Sequence, residues 1–194
     1  GFVLEISNVN SDGFNFGVYV DGGVDQAVYL ASVTGCNIRC TTIGAGNPVS
    51  NCVTLSNCLV ATIDGNLFDN NTQGDHAVYC LQSSGLFIRQ NRIRNSISEG
   101  VKVTHFTGGA GNDDTQIWSV THNDIRDCDG AATMQSDSFN HALMQFEYNY
   151  CDTIGDAGSS NSAVTFVAAE TTGASRIKNI AFGHNTMKDL QARA

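Results

Sequence analysis

The stretch "IRQNRIRNSISEGVKV", residues 88–103, repeats a phrase used earlier in the same chain. Twenty-five residues before it stands "IDGNLFDNNTQGDHAVYC" (63–80), and 25 before that "IRCTTIGAGNPVSNCVTL" (38–55). Internal repetition at a fixed period decides the architecture before any local propensity does. Aligned on the central position, the phrase gives Thr41, Asn66 and Asn91, then with looser spacing Asn123, Asn149 and Asn185, with Ser7 ahead of them. Three residues upstream run Leu4, Ile38, Ile63, Ile88, Val120, Phe146 and Phe182; two downstream run Val9, Ile43, Phe68, Ile93, Ile125, Cys151 and Met187. A further apolar pair precedes each phrase: Val28 and Leu30, Val53 and Leu55, Val78 and Cys80.

Each unit therefore holds short stretches of alternating polarity separated by Gly, Asn or Asp, and alternation with period two is the signal of a strand. The stretches are too short for helices. If each unit is one circuit of a coil, its strands lie beside those of the next circuit about 4.8 Å away, and like residues stack on like. The spacing is then the circumference of the coil. About seven circuits are expected, in one all-β domain over 1–194. The breaks in spacing place inserted loops at 105–116, after Asn149, and within an enlarged first circuit.

Bulk composition agrees. The 194 residues are 41% hydrophobic and only 15% charged, with one proline against 20 glycines and a net charge of −9. Nucleic acid is excluded as a partner, because phosphate binding needs clustered Lys and Arg. No apolar run approaches the roughly 18 residues that span a bilayer. No cleavable signal pattern opens the chain, so either a leader has been removed or there never was one. The absence of a capping segment at either end implies a section of a longer chain, or a protomer whose ends neighbours cover. Of the seven cysteines, no two share a column on adjacent circuits, and bridged Cα atoms must lie within about 7 Å. Disulfides are not expected in the regular circuits, which suggests assembly in a reducing cytoplasm.

The period and the asparagine column at 66, 91, 123, 149 and 185 resemble the right-handed parallel β-helix proteins of the pectin-lyase-like superfamily, over nearly the whole chain. These include polysaccharide lyases, glycoside hydrolases and phage tailspikes. The resemblance implies a single-stranded right-handed coil in which inward asparagines form a hydrogen-bonded ladder, weakening towards Thr41 and Ser7. It also implies a polysaccharide as partner, an extracellular or virion-associated setting, and, on the tailspike reading, a homotrimer.

Chemistry is sought on outward positions. One column reads Tyr29, Thr54, Tyr79, Lys102, Thr133 and Thr165; its neighbour reads Gln26, Asn51, His76, Glu99, Gly130 and Ser162. Side chains on adjacent circuits stand about 5 Å apart, so His76 and Glu99 are placed to touch. Tyr29, Tyr79, His76, His105 and Asp137 are expected to bind sugar, through stacking on ring faces and bonds to hydroxyl or uronate groups. A lyase would use Lys102 as base and a cation against the uronate. A hydrolase would use two carboxyls, with Glu99, Asp113, Asp114 and Asp137 available. Asp113-Asp114 and Arg176-Ile177-Lys178 are similar to two motifs of polygalacturonase-type hydrolases, but in the wrong order and without the others. No cofactor is expected. Calcium is allowed by the resemblance, although no convincing site is present; Asp64 and Asp69 read as turn carboxylates. His122 and His184 directly precede ladder asparagines and read as outward turn residues. Trp118 fits either the core or a sugar platform. The leading reading is a lyase or glycoside hydrolase domain; the alternatives are a non-catalytic carbohydrate-binding β-helix of a tailspike or adhesin, and a structural spacer.

Overall fold

Apolar residues at every second position, recurring once per circuit, require all strands to run in the same direction and to pair with their counterparts one circuit away. The computed structural model has this arrangement. It describes residues 3–13, 16–22, 28–40, 51–105, 116–136, 141–155, 163–168 and 179–190. Within them lie three parallel sheets. The first sheet stacks Val3–Ser7, Val28–Thr34, Cys58–Asp64, Gly85–Arg89, Gln116–Thr121, His141–Glu147 and Ile180–Gly183. The second stacks Asn10–Asp12, Asn37–Arg39, Leu67–Gly74, Arg92–Ser96, Asp124–Cys128, Tyr150–Ile154 and Thr186–Lys188. The third stacks Phe16–Asp21, Asn51–Ser56, Val78–Leu81, Glu99–His105, Gly130–Ser136 and Val164–Ala168. Among the described residues six circuits contribute one strand to each sheet and the last contributes to the first two, so the chain is a parallel β-helix.

The core fills the coil in columns. Ile63, Ile88, Val120 and Phe146 stack in the first sheet, and Phe68, Ile93, Ile125 and Cys151 in the second; all are at most 1% exposed. Burial of each large apolar side chain is worth about 1.5–3 kcal/mol. Trp118 belongs to this core: it is fully buried, and its Nε1 donates to the Ser83 carbonyl at 2.8 Å.

Between the first and second sheets the backbone turns through a left-handed residue on every circuit. Asn8, Gly35, Gly65, Gln90, His122, Tyr148 and His184 all have φ between +53° and +66°. Such a conformation costs a non-glycine residue about 1–2 kcal/mol, and the residue that follows offsets it. Asn66, Asn91, Asn123 and Asn149 are buried, and each places its amide between circuits. The Asn91 Oδ1 accepts both the backbone N–H and the Nδ2–H of Asn66, at 3.0 and 2.9 Å. Asn123 does the same for Asn91, Asn149 for Asn123, and Asn185 for Asn149. Each Nδ2 also donates to a carbonyl of the preceding circuit, as Asn91 does to Ile63 at 2.9 Å.

The first two circuits differ from the sequence expectation. The ladder position below Asn66 is Cys36, whose backbone N–H donates to the Asn66 Oδ1 at 2.8 Å, and below that is Val9, whose carbonyl accepts the Asn37 N–H. Ser7 instead lies within a strand opposite Thr34; Thr41 is outside the described residues. Cys36 substitutes in part for asparagine: its thiol reaches towards the Ile6 carbonyl at 3.9 Å, the counterpart of the Val33 carbonyl that Asn66 bonds. The apolar columns shift accordingly, to Ile6 and Val33 before Ile63, and Ser11 and Ile38 before Phe68. The true step from Val33 to Ile63 is 30 residues; the assumed 25 misplaced everything ahead of it.

All seven cysteines are free and none is more than 3% exposed. Burial pushes Cys58 up to about 11, and Cys128 and Cys151 up to about 12. Cys40 is lowered instead, first by its hydrogen bond with the Cys52 thiol. Because the thiolate is the reacting form, dithionitrobenzoate should label the native protein far more slowly than the unfolded chain, which exposes all seven thiols, and Cys40 should react first. Rapid release of several equivalents from native protein would contradict this packing.

Candidate functional site on the third sheet

The third sheet carries its inward apolar column through Val18, Val53, Val78, Val101, Ala132 and Val164, so the residue after each points outward. That outward column is Tyr19, Thr54, Tyr79, Lys102, Thr133 and Thr165. Tyr29 is therefore not part of it. It sits in the first sheet, on the strand Val28–Thr34, and Tyr19 takes its place because Tyr19, 35 residues ahead of Thr54 and not 25, is what pairs with it. Tyr19 is 60% exposed, so the column still begins with an exposed aromatic side chain.

Beside this column, where the chain enters the sheet, stand Asn51 and Glu99 at the starts of their strands and His76 just ahead of its own, all buried. Asn51 orients the loop: its Oδ1 accepts the His76 backbone N–H at 3.1 Å and its Nδ2 donates to Thr54 Oγ1 at 3.1 Å. His76 Nδ1 lies 3.2 Å from Glu99 Oε2, and Nε2 lies 3.4 Å from Asp75 Oδ2. Tyr79 packs against the imidazole at 5.2 Å between ring centroids. Glu99 is bonded from all sides. Ser98 Oγ donates to Oε2 and Thr133 Oγ1 to Oε1, both at 2.8 Å, and Lys102 Nζ stands 3.5 Å from Oε1.

Burial opposes the charge on Glu99, but the bonds from His76, Ser98 and Thr133 outweigh it and hold the carboxyl well below the usual carboxylate range. It is an ionised, saturated acceptor. Tyr79 moves the other way, raised first by burial and then by the negative charges of Asp75 and Glu99. Lys102 keeps a quarter of its side chain exposed and Asp75 a third, so the cluster presents one accessible charge of each sign. His105 is fully buried at the end of its strand, opposite Ser136, and does not line the outward face. Asp113, Asp114 and Asp137 lie outside the described residues.

Two features had no clear signal in sequence. On the outward face of the second sheet, Arg39, Asp69, Arg94, Arg126, Asp152 and Lys188 form one column. Asp124 accepts two bonds from Arg126, at 2.6 and 3.0 Å, while the same guanidinium lies 4.8 Å from the Tyr150 ring centroid. Asp64 and Asp69 are engaged by Arg89 and Arg39, at 2.9 and 3.9 Å. The column is mixed in sign, with Arg94 directly beside Arg126, and each exposed ion pair contributes up to about 1 kcal/mol. At the left-handed turn, His122, Tyr148 and His184 stack with centroids 5.0 and 4.7 Å apart. The outward placement of the two histidines was readable from their position before ladder residues; Tyr148 completes the stack between them.

Three parallel sheets wound around a buried asparagine ladder, with a polar and aromatic lateral face, define the class of this protein as a parallel β-helix solenoid. Comparison with protein-family models, with curated proteins and with solved structures finds no match to the chain.

Proposed function

We propose that this β-helix acts on an extended, acidic polysaccharide laid along the outward face of the third sheet, as its resemblance to pectin-lyase-like proteins suggests. The observation that carries the reading is the column Tyr19–Thr54–Tyr79–Lys102–Thr133, with Lys102 held beside the buried His76–Glu99 pair. Its step of about 4.8 Å is close to the rise of one sugar in an extended chain. Tyr19 brings an exposed aromatic side chain to one end of the column. Lys102 supplies the counter-charge for a uronate carboxylate, and Glu99 keeps the ammonium in place.

Among the described residues, binding is better supported than turnover. Glu99 accepts from Ser98 and Thr133 and lies 3.2 Å from His76 Nδ1, so its carboxylate is committed to its neighbours. Both His76 nitrogens face carboxylates, and Lys102 is ion-paired with Glu99. A lyase or hydrolase function rests on the acids of residues 113, 114 and 137.

The test is titration with polygalacturonate, alginate and acidic bacterial capsules, together with assays for new reducing ends and for the ultraviolet absorbance of unsaturated ends. Lys102→Ala should weaken binding about tenfold at low salt, the loss of about 1.4 kcal/mol from one charge-assisted contact, and Tyr19→Ala should weaken it several-fold. Unchanged affinity in both variants would remove this face as the binding site. Product formation that depends on Asp113 or Asp114 would favour the enzyme.

A further inference from the structure

Two cysteines lie together at one corner of the coil. Cys40 follows the second-sheet strand Asn37–Arg39, and Cys52 is the second residue of the third-sheet strand Asn51–Ser56. They belong to one circuit, whereas the columns of the repeat compare only successive circuits. Their thiols are in hydrogen-bonding contact. The Cys40 sulfur also accepts the backbone N–H of Gly17. A Cβ at Gly17 would run into the Ile38 side chain and stand 2.7 Å from the Cys52 carbonyl, so it is glycine that lets the first circuit come this close. The Cys52 thiol has Asn70 Oδ1 as a second acceptor, 3.0 Å away.

We propose that Cys40 and Cys52 form a dithiol that a small hydroperoxide oxidises to a disulfide, with Cys40 as the attacking sulfur and Cys52 as the resolving one. The roles follow from the surroundings. The Gly17 N–H and the Cys52 S–H both donate to the Cys40 sulfur and favour its thiolate, the nucleophilic form. Cys36, Cys58 and Cys128 instead face backbone carbonyls, which favour the protonated thiol. Burial holds Cys52 well above the ordinary thiol range, and Cys80 likewise. Cys40 attacks one peroxide oxygen: the S–O bond forms, the O–O bond breaks, and the leaving oxygen takes the thiol proton to give water or an alcohol. Cys52 then attacks the sulfenic sulfur: the S–S bond forms, the S–O bond breaks, and hydroxide leaves with the Cys52 proton as water. Two electrons pass from the dithiol to the peroxide. Cys40 is 1% exposed, which restricts the reaction to small oxidants and slows it. The bridge closes residues 41–51 into a loop and ties the second sheet to the third at this corner.

The test is overnight treatment of the native protein with hydrogen peroxide, then unfolding in an alkylating agent and digestion with trypsin and chymotrypsin. Two of the seven thiols should be lost. The fragment holding residues 40–55 should carry no alkyl group until dithiothreitol is added. Cys52→Ser, with unchanged far-ultraviolet dichroism, should stop at the sulfenic acid, read as one dimedone adduct on Cys40. The wild-type measurement decides the matter even if that variant does not fold. Retention of all seven thiols overturns the proposal, and so does loss spread over the other cysteine-containing fragments. A dimedone adduct on any other cysteine of a folded Cys52→Ser protein does the same.

Discussion

Replacing Asn91 by alanine is expected to cost about 3–5 kcal/mol. The side chain sits at mid-ladder and is 1% exposed. Its removal takes the acceptor from two buried donors, the Asn66 backbone N–H and Nδ2–H. It also withdraws the Nδ2 that serves the Ile63 carbonyl and the Asn123 Oδ1. Each buried group left unpaired costs about 1–3 kcal/mol, and the left-handed strain at Gln90 (φ 57°) loses part of its compensation. Asn185→Ala, at the half-exposed end of the ladder, should cost about 1 kcal/mol, since water can replace what is lost. Urea unfolding of the two variants side by side measures the gradient. Equal losses at both positions would mean that the ladder is not a stacked, buried array.

The second large effect is expected at Glu99. Glu99→Ala leaves the Lys102 ammonium, the His76 imidazole and the Ser98 and Thr133 hydroxyls without their common partner; breaking a buried charged cluster in this way costs about 3–5 kcal/mol. The carboxyl also gives stability a defined pH dependence. Its folded-state value is depressed below the unfolded one, about 4.3, so its contribution is complete above that pH. It is lost as acid lowers the pH from there through the folded value. Wild-type protein should therefore lose more stability between about pH 5 and about pH 3 than Glu99→Gln, which cannot titrate. Parallel acid limbs for the two proteins would show that the carboxylate is not stabilised by its neighbours. In the same series, Glu99→Ala and His76→Ala should combine to less than the sum of their separate costs, because they act on one network.

The second prediction depends on a contact that sequence reasoning reached correctly and interpreted incompletely. Adjacency of His76 and Glu99 followed from the period. The commitment of Glu99 to Ser98 and Thr133 did not, because hydroxyl orientation and the geometry of the turn at Ser98 leave no trace in a repeat. Likewise Trp118 could be core or surface until its indole N–H was seen bonded to the Ser83 carbonyl. His105 was expected on the groove and is buried, because the alternation that puts Lys102 outside puts a residue three further along inside.

Some of this protein was determined by its sequence alone: the coil, its circumference, the asparagine column from residue 66 onward and the inward apolar stacks. These come from interactions repeated on every circuit, and repetition in space must appear as repetition along the chain. The tertiary structure decided the register of the first two circuits, the exchange of Tyr29 for Tyr19, the role of Cys36 in the ladder and the contact of Cys40 with Cys52. All of these depend on how many residues leave the coil between circuits. Closing a longer loop costs only slightly more than closing a shorter one, so loop length is nearly free to vary and gives no signal from which register could be read.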